Sequence, residues 1–301
     1  MFDWCFACDV FQETERELFK MKLLHLTDTH LDHLEIPAIQ RFCRTLVAAK
    51  PDVVVITGDI SNANMLFEHL LVVRKELAPV PVFFVAGNHD YYHGSIQTVR
   101  DKLIKFCTYT GPAKIFPAGE GSWWLGNSGV IHLSDTHALI GSDGWYDGLY
   151  ADWFKSQLDM NDYYLIEELS GAASCPTRQH RFDALQRLSA ASADYVRVQL
   201  QAAFDSGYKT VFVATHVPPF AESATYRGKI SDSTWLPHFS SKKMGEALTQ
   251  VMLANPEKDK LAIVLCGHTH GASTYRALHN LVVHTGAAEY GAPSISNKFN
   301  Y

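Results

Sequence analysis

The sequence predicts an α/β fold of buried, mainly parallel strands, and three observations predict it. Short apolar runs recur at 22–26, 52–56, 80–85, 210–215, 261–266 and 281–285, with little polar alternation, as in strands covered on both faces. Most of these runs end in a polar turn. Between the first three lie stretches of helical character, and their polar turns recur about every 30 residues, the length of a βαβ unit.

Taken in order, residues 1–20 read as an N-terminal extension, with a charged stretch from Glu13 to Lys20, and the fold starts at Met21-Lys22. The first strand ends in Thr27-Asp28-Thr29-His30. A helix is predicted over 37–49, and the second strand ends in Thr57-Gly58-Asp59. Another helix covers 63–77, and the third strand runs into Gly87-Asn88-His89-Asp90. There a glycine lets the chain turn, and an amide, an imidazole and a carboxylate follow at a strand's carboxyl end, where open α/β sheets place their ligands. The middle of the chain changes character: 123–125, 130–133 and 138–141 read as short, mainly antiparallel strands. After Gly144-Trp145-Tyr146-Asp147 strand signals stop, and 145–180 reads as an insertion capping the site. A long helix is predicted over 178–206, with Phe182, Leu185, Leu188, Tyr195, Val198, Leu200 and Phe204 as its apolar stripe. Alternation then resumes. One strand ends at His216, a helix covers 241–254, and the next strand ends in Gly267-His268-Thr269-His270. A last strand occupies 281–285, and the tail after Gly291 is read as irregular.

Composition narrows the function. With 47% hydrophobic and 19% charged residues the chain buries a sizeable core, and a formal net charge of −6 argues against strong nucleic-acid binding through a basic surface. No apolar run reaches the roughly 20 residues of a membrane span. No basic-then-apolar leader opens the sequence, so the cytoplasm is the default location. Six cysteines, including Cys5 and Cys8 as one C-x-x-C pair, are too sparse for a disulfide scaffold and read as free thiols.

The polar groups at the strand ends are Asp28, His30, Asp59, Asn88, His216, His268 and His270. Nitrogen and oxygen donors with no thiolate point to Mn, Fe or Zn. Seven donors exceed one tetrahedral ion but suit two ions sharing a carboxylate, which can clamp the attacking and leaving oxygens of a displacement at phosphorus. Two divalent ions against two carboxylates leave such a site about +2, an attractor for phosphate in an acidic protein. The nucleophile would be a metal-bound hydroxide, so no serine or cysteine nucleophile is needed.

D-x-H (Asp28, His30), G-D (Gly58, Asp59), G-N-H-D (Gly87 to Asp90), a lone His216 and G-H-x-H (Gly267 to His270), in that order, resemble the calcineurin-like metallophosphoesterase superfamily over roughly 22–285. The resemblance implies a four-layer sandwich of two mixed β-sheets flanked by helices, forming a single domain over 21–301. It implies that Asp28, His30 and His270 hold a first ion, that Asp59 bridges, and that Asn88, His216 and His268 hold a second, with manganese the leading candidate. His89 would protonate the leaving group or stabilise the developing charge, with Asp90 orienting its ring. The family often carries a further Asp or Asn after the bridging Asp, where Asn62 stands here. It also commonly places an arginine near the phosphate, and no arginine here falls in a motif. The function implied is hydrolysis of a small phosphomonoester or phosphodiester, a nucleotide among the possible substrates. The alternatives are a catalytically silent binding module of the same fold, or a nuclease.

Other residues invite plainer readings. Ser134-Asp135-Thr136-His137 repeats D-x-H but lacks a following G-D and reads as a hairpin turn. His25 reads as a core histidine, and His33, His93 and His238 as surface histidines beside the motif loops. Trp123, Trp124, Trp145, Tyr146 and Trp235 are assigned to packing.

Overall fold

Strands buried on both faces must be covered twice, and the chain does this with two sheets back to back and helices outside each. The computed structural model describes residues 21–109, 122–170 and 177–301. The extension 1–20, and with it Cys5 and Cys8, lies outside the described residues, as does Cys175.

The first sheet has the order β13-β1-β2-β3-β4, with β1 Lys22–Leu26, β2 Val53–Thr57, β3 Val82–Val85, β4 Ser122–Trp124 and β13 Asn297–Asn300. The first four run parallel, and β13 lies antiparallel along β1. The second sheet has the order β11-β12-β10-β7-β6-β5: β5 Ile131–Ser134, β6 His137–Gly141, β7 Thr210–Ala214, β10 Leu261–Cys266, β11 Ser273–Leu278 and β12 Leu281–Thr285. Its four inner strands are parallel, flanked by antiparallel β5 and β11. A two-stranded ribbon, β8 Thr225–Tyr226 with β9 Lys229–Ile230, stands apart. The helices are α1 Ile36–Ala48, α2 Leu66–Leu77, α3 Ile96–Tyr109, α4 Asp162–Leu165, α5 Glu167–Ser170, α6 Arg178–Asp205, α7 Leu236–Phe239 and α8 Lys242–Ala254.

Side-chain alternation along the strands sorts the apolar residues into layers. Leu23, Val53, Val55, Phe83 and Val85 meet Leu139, Phe212, Ala214 and Leu265 between the sheets. Leu24, Leu26, Val54, Ile56 and Phe84 point the other way, against Ile39 and Leu46 of α1, Leu66 and Leu70 of α2 and Leu103 of α3. On the far side Ile140, Val211, Val213 and Val264 pack on Val196 and Leu200 of α6 and on Leu248 of α8. These are the four layers the sequence implies.

Three expectations need correction. Trp123 and Trp124 do not join an antiparallel meander: β4 runs parallel to β3 in the first sheet, and β6 runs parallel to β7, so only β5 and β6 form a hairpin in that stretch. The tail is not irregular, because Asn297–Asn300 alternates half-buried and exposed positions as an edge strand does, and Phe299 reaches the inter-sheet core. In α6 the stripe is displaced: Val198 is 46% exposed, and small residues, Ala193 and Ala203, take inward positions instead. The helix itself starts where Thr177 caps it, its hydroxyl accepting from the His180 amide. Among the described residues no helix is long and apolar enough to cross a membrane.

Candidate metal centre

The parallel strands of both sheets end on one rim of the sandwich, and their loops are laced together by backbone bonds. Asp28 N donates to Gly58 O at 3.0 Å and His30 N to Asp59 O at 2.9 Å, so the first two loops run side by side. Between the sheets, Gly267 N donates to His216 O at 2.9 Å, and His268 N donates to both oxygens of Asp28 at 3.0 Å. Such crowding explains two glycines. A Cβ at Gly267 would fall 2.0 Å from Asp28 Oδ2, and one at Gly87 would fall 2.2 Å from Asp59 Oδ1. Gly87 is therefore needed for close approach, not for the turn expected of it, since it is absent from the positive-φ glycines.

The seven candidate donors meet there in two groups sharing Asp59. Asp28, His30, Asp59 and His270 each offer a ligand atom, all within 4.8 Å of one another, and Asp59, His216 and His268 do the same. In the first group His30 Nε2 and His270 Nε2 are 3.2 Å apart, and His270 Nε2 lies 3.4 Å from Asp28 Oδ1. In the second, His216 Nε2 lies 3.3 Å from Asp59 Oδ1, 3.0 Å from Asn88 Oδ1 and 3.2 Å from His268 Nδ1. The two oxygens of Asp59 thus face different groups, with Oδ2 3.9 Å from His30 Nε2. Five of the seven residues hold a left-handed backbone: Asp28, His30, Asp59, His268 and His270, with φ from 40° to 68°. Non-glycine residues avoid that region, and clusters of such strain mark sites that a surrounding frame holds in place.

Cations fit this cage. Asp28 and Asp59 are buried, and among the described residues their ion-pair partners are all histidines. The 3.2 Å spacing of the facing imidazole nitrogens, His30 with His270 and His216 with His268, also suits two donors about 2.1 Å from a shared ion. Burial, with the other histidines, lowers His30 and His268 to about 4, so both are neutral and available as donors. For His216 burial pulls downward, but the carboxylate of Asp59 outweighs it and raises the ring to about 10. Burial also opposes the charge on Asp59, and His216 and His89 hold it well below the usual range all the same.

The ring of His89, at the mouth, stacks on Tyr92 with centroids 4.2 Å apart, and its Nε2 lies 3.9 Å from Asp59 Oδ2. Asp90 does not orient that ring. Its Oδ1 accepts from the amides of Ile60 and Ser61 and its Oδ2 from Gly87, so the carboxylate clamps the second loop to the third. Burial and nearby Asp59 push its carboxyl upward, against those amides. Asn62 is turned aside to Asp32 at 3.2 Å.

Several participants carry no motif. Asp162, from the insertion, accepts from Asn88 Nδ2 at 2.9 Å, and the hydroxyls of Tyr92 and Tyr146 donate to it at 2.6 and 2.8 Å. His238 is not a surface histidine. It is fully buried, bonded to Tyr163 and Ser156, and its carbonyl accepts from His268 Nε2 at 3.0 Å. Tyr290 leaves 49% of its surface exposed, and its ring lies 4.3 Å from His30 and 5.1 Å from His270. A lone tyrosine in the tail, a backbone carbonyl and one acidic residue in a charged, aromatic stretch carry no spacing that marks them in the sequence.

His25 is a satisfied core histidine, bonded to Thr57 and Asn297. Asp135 sits exposed in the β5–β6 turn, apart from the cage.

Residues 21–127 match the family model for calcineurin-like phosphoesterases. An uncharacterized metallophosphoesterase of Bacillus subtilis, YkuE, is 26% identical over 132 residues, covering 42% of this chain and 44% of that protein. One from Campylobacter jejuni is 33% identical over 88 residues, 28% of this chain and 23% of the relative. The matched stretches thus span less than half the length of these curated relatives. Among solved structures, a dimetal phosphatase from Danio rerio shares the fold at a TM-score of 0.52 and 14% identity, over 89% of this chain and 87% of that one. Over residues 21–127, about a third of the chain, the sequence is thus similar to the calcineurin-like phosphoesterases, and its two-sheet architecture is the fold of the Danio rerio structure.

Proposed function

We propose that the protein hydrolyses a small phosphoester with two metal ions, one held by Asp28, His30 and His270, the other by Asn88, His216 and His268, with Asp59 between them. The observation that carries this reading is the two-group cage around Asp59, with one carboxylate oxygen toward each group. The ions, when bound, would activate water for attack on phosphorus and neutralise charge on the phosphoryl oxygens.

The chain supplies the rest. His216 and His268 each donate one ring N–H to a backbone carbonyl, Thr57 and His238, which fixes the tautomer and leaves the other nitrogen facing the cage. His89, 19% exposed and braced by Tyr92, is the ring placed to give a proton to the departing oxygen. Tyr290 overhangs the same mouth, where a leaving group would meet its exposed face. Asp90 acts on His89 through the backbone it clamps.

The test is turnover of p-nitrophenyl phosphate and bis-p-nitrophenyl phosphate by the purified protein with manganese, beside elemental analysis. Metal-dependent release from either supports the reading and separates monoester from diester. A protein that binds two ions per chain yet turns over neither, nor any of a panel of phosphoesters, is a binding module.

A further inference from the structure

The insertion after β6 reaches the centre through one carboxylate. Asp162 opens α4, is fully buried, and pairs with no Lys, Arg or His side chain among the described residues. An uncompensated buried carboxylate is expensive to keep. What satisfies it is three donors: Asn88 Nδ2 and Tyr92 Oη on Oδ1, and Tyr146 Oη on Oδ2. Around it the insertion is fastened to the loop that follows Asn88: His93 N donates to Leu165 O at 2.7 Å, Glu167 N donates to Gly94 O at 3.0 Å, and Glu168 caps α3 by accepting from Ile96 N and Gln97 N.

We infer that Asp162 is a positioning residue that sets which end of the Asn88 amide faces the metal cage. A side-chain amide has a donor end and an acceptor end that are nearly equal in shape, so packing alone does not choose between them. An ionised carboxylate only accepts. Facing Asp162, Asn88 must present its Nδ2, which turns its Oδ1 toward His216 Nε2, where an ion would sit. Turned over, the amide would set oxygen against carboxylate and point two N–H groups at a cation. Tyr92 and Tyr146 also donate to Asp162, one to each oxygen, so a swing of the carboxylate would break two further hydrogen bonds. Tyr146 also stacks against the His268 ring, with planes 12° apart, so the same anchor backs a second donor of that group. The insertion is thus part of the second ion's site, not a cover laid over it.

This inference rests on the two-ion reading, and one set of measurements separates them. Manganese content after equilibrium dialysis, with calorimetric titration beside it, is compared for the wild type, Asp162→Asn, Asn88→Asp and the pair Asn88→Asp/Asp162→Asn. The neutral amide at 162 can offer N–H groups to Asn88 and so frees it to turn. In Asp162→Asn the second ion is expected to bind about 10- to 100-fold more weakly, the range found when partners behind metal ligands are removed, while the first keeps its affinity. Asn88→Asp alone sets two carboxylates together and weakens the second ion. The pair restores a donor facing an acceptor and recovers it, a rescue no loss of general stability predicts. Two ions at wild-type affinity in Asp162→Asn overturn the inference alone, as does a pair no better than Asn88→Asp should Asp162→Asn fail to fold. A wild type that takes up no second ion overturns the two-ion reading as well.

Discussion

Behind Asn88, His216 and His268 stand Asp162, the Thr57 carbonyl and the His238 carbonyl, so each donor of that group has its far side held. The group of Asp28, His30 and His270 is built differently. Asp28 is fixed by the His268 amide and the Thr27 hydroxyl, but among the described residues His30 Nδ1 is buried without a hydrogen-bond partner, and the polar contacts of the His270 ring run through Nε2. It also lies nearer the mouth, with 18% of the His270 side chain exposed and Tyr290 above. Partners behind a ligand raise its basicity and lock its orientation. The difference teaches that the two candidate groups are unequal, a braced one inside and a looser one at the entrance.

The hardest blow to both at once is Asp59→Asn, because Asp59 is the one donor the groups share. Both ions and turnover should go together. Several kcal/mol of charge stabilisation would be lost, about a thousandfold or more in kcat/KM, as read by elemental analysis and p-nitrophenyl phosphate. Full activity in this variant would end the shared-carboxylate picture. Next comes His89→Ala, which should keep both ions yet lose about 10²- to 10⁴-fold in turnover of esters with poor leaving groups. Loss of metal in that variant would make His89 a ligand and redraw the comparison.

Chelation reads the inequality directly. EDTA should strip the ions in two phases, the outer leaving at least about tenfold faster, and single-phase loss of both would make the sites equal. Protons compete with the ions in the same place. Since Asp59 holds His216 near 10 in the ion-free cage, ion uptake at pH 7.5 should expel a proton, and affinity should fall as pH falls, with the ions lost below about pH 6. Unchanged metal content at pH 5 would count against this. The smallest effect lies away from the cage. Burial, then His284, lowers His25 to about 3 from the ordinary 6.5. Its folded value is depressed, so its contribution to stability is whole above pH 6.5 and drains away as pH falls toward 3. The Tm gap between wild type and His25→Gln should therefore shrink between pH 7 and pH 5.

The legible part of the centre was the part written in short spacings. Asp28 with His30, Gly58 with Asp59, Gly87 to Asp90 and Gly267 to His270 each sit at the end of an apolar run, so local sequence both names the donor and places it. What stands behind the donors was illegible for physical reasons. Asp162 lies in a stretch with Asp159, Glu167 and Glu168 that resembles a solvated face, and it is satisfied only once Tyr92, 70 residues away in sequence, and Tyr146 fold around it. The carbonyl of His238 has no side-chain identity at all, and the histidine itself reads as polar until Trp153, Tyr163 and Ser156 are folded around it. In the fold, β13 was missed because one phenylalanine among polar neighbours is a faint alternation, made a strand only by the edge of β1.

The five left-handed backbones have a further consequence. Each such conformation costs roughly 1–3 kcal/mol, a sum borne by the backbone bonds that lace the loops together, so the ions, when bound, would enter loops that the chain itself holds. Far-ultraviolet circular dichroism should barely change when they are removed. It follows also that the strain is not where stability is to be gained at 268: glycine there would relax the backbone but remove a buried ring stacked on Tyr146 and bonded to the His238 carbonyl.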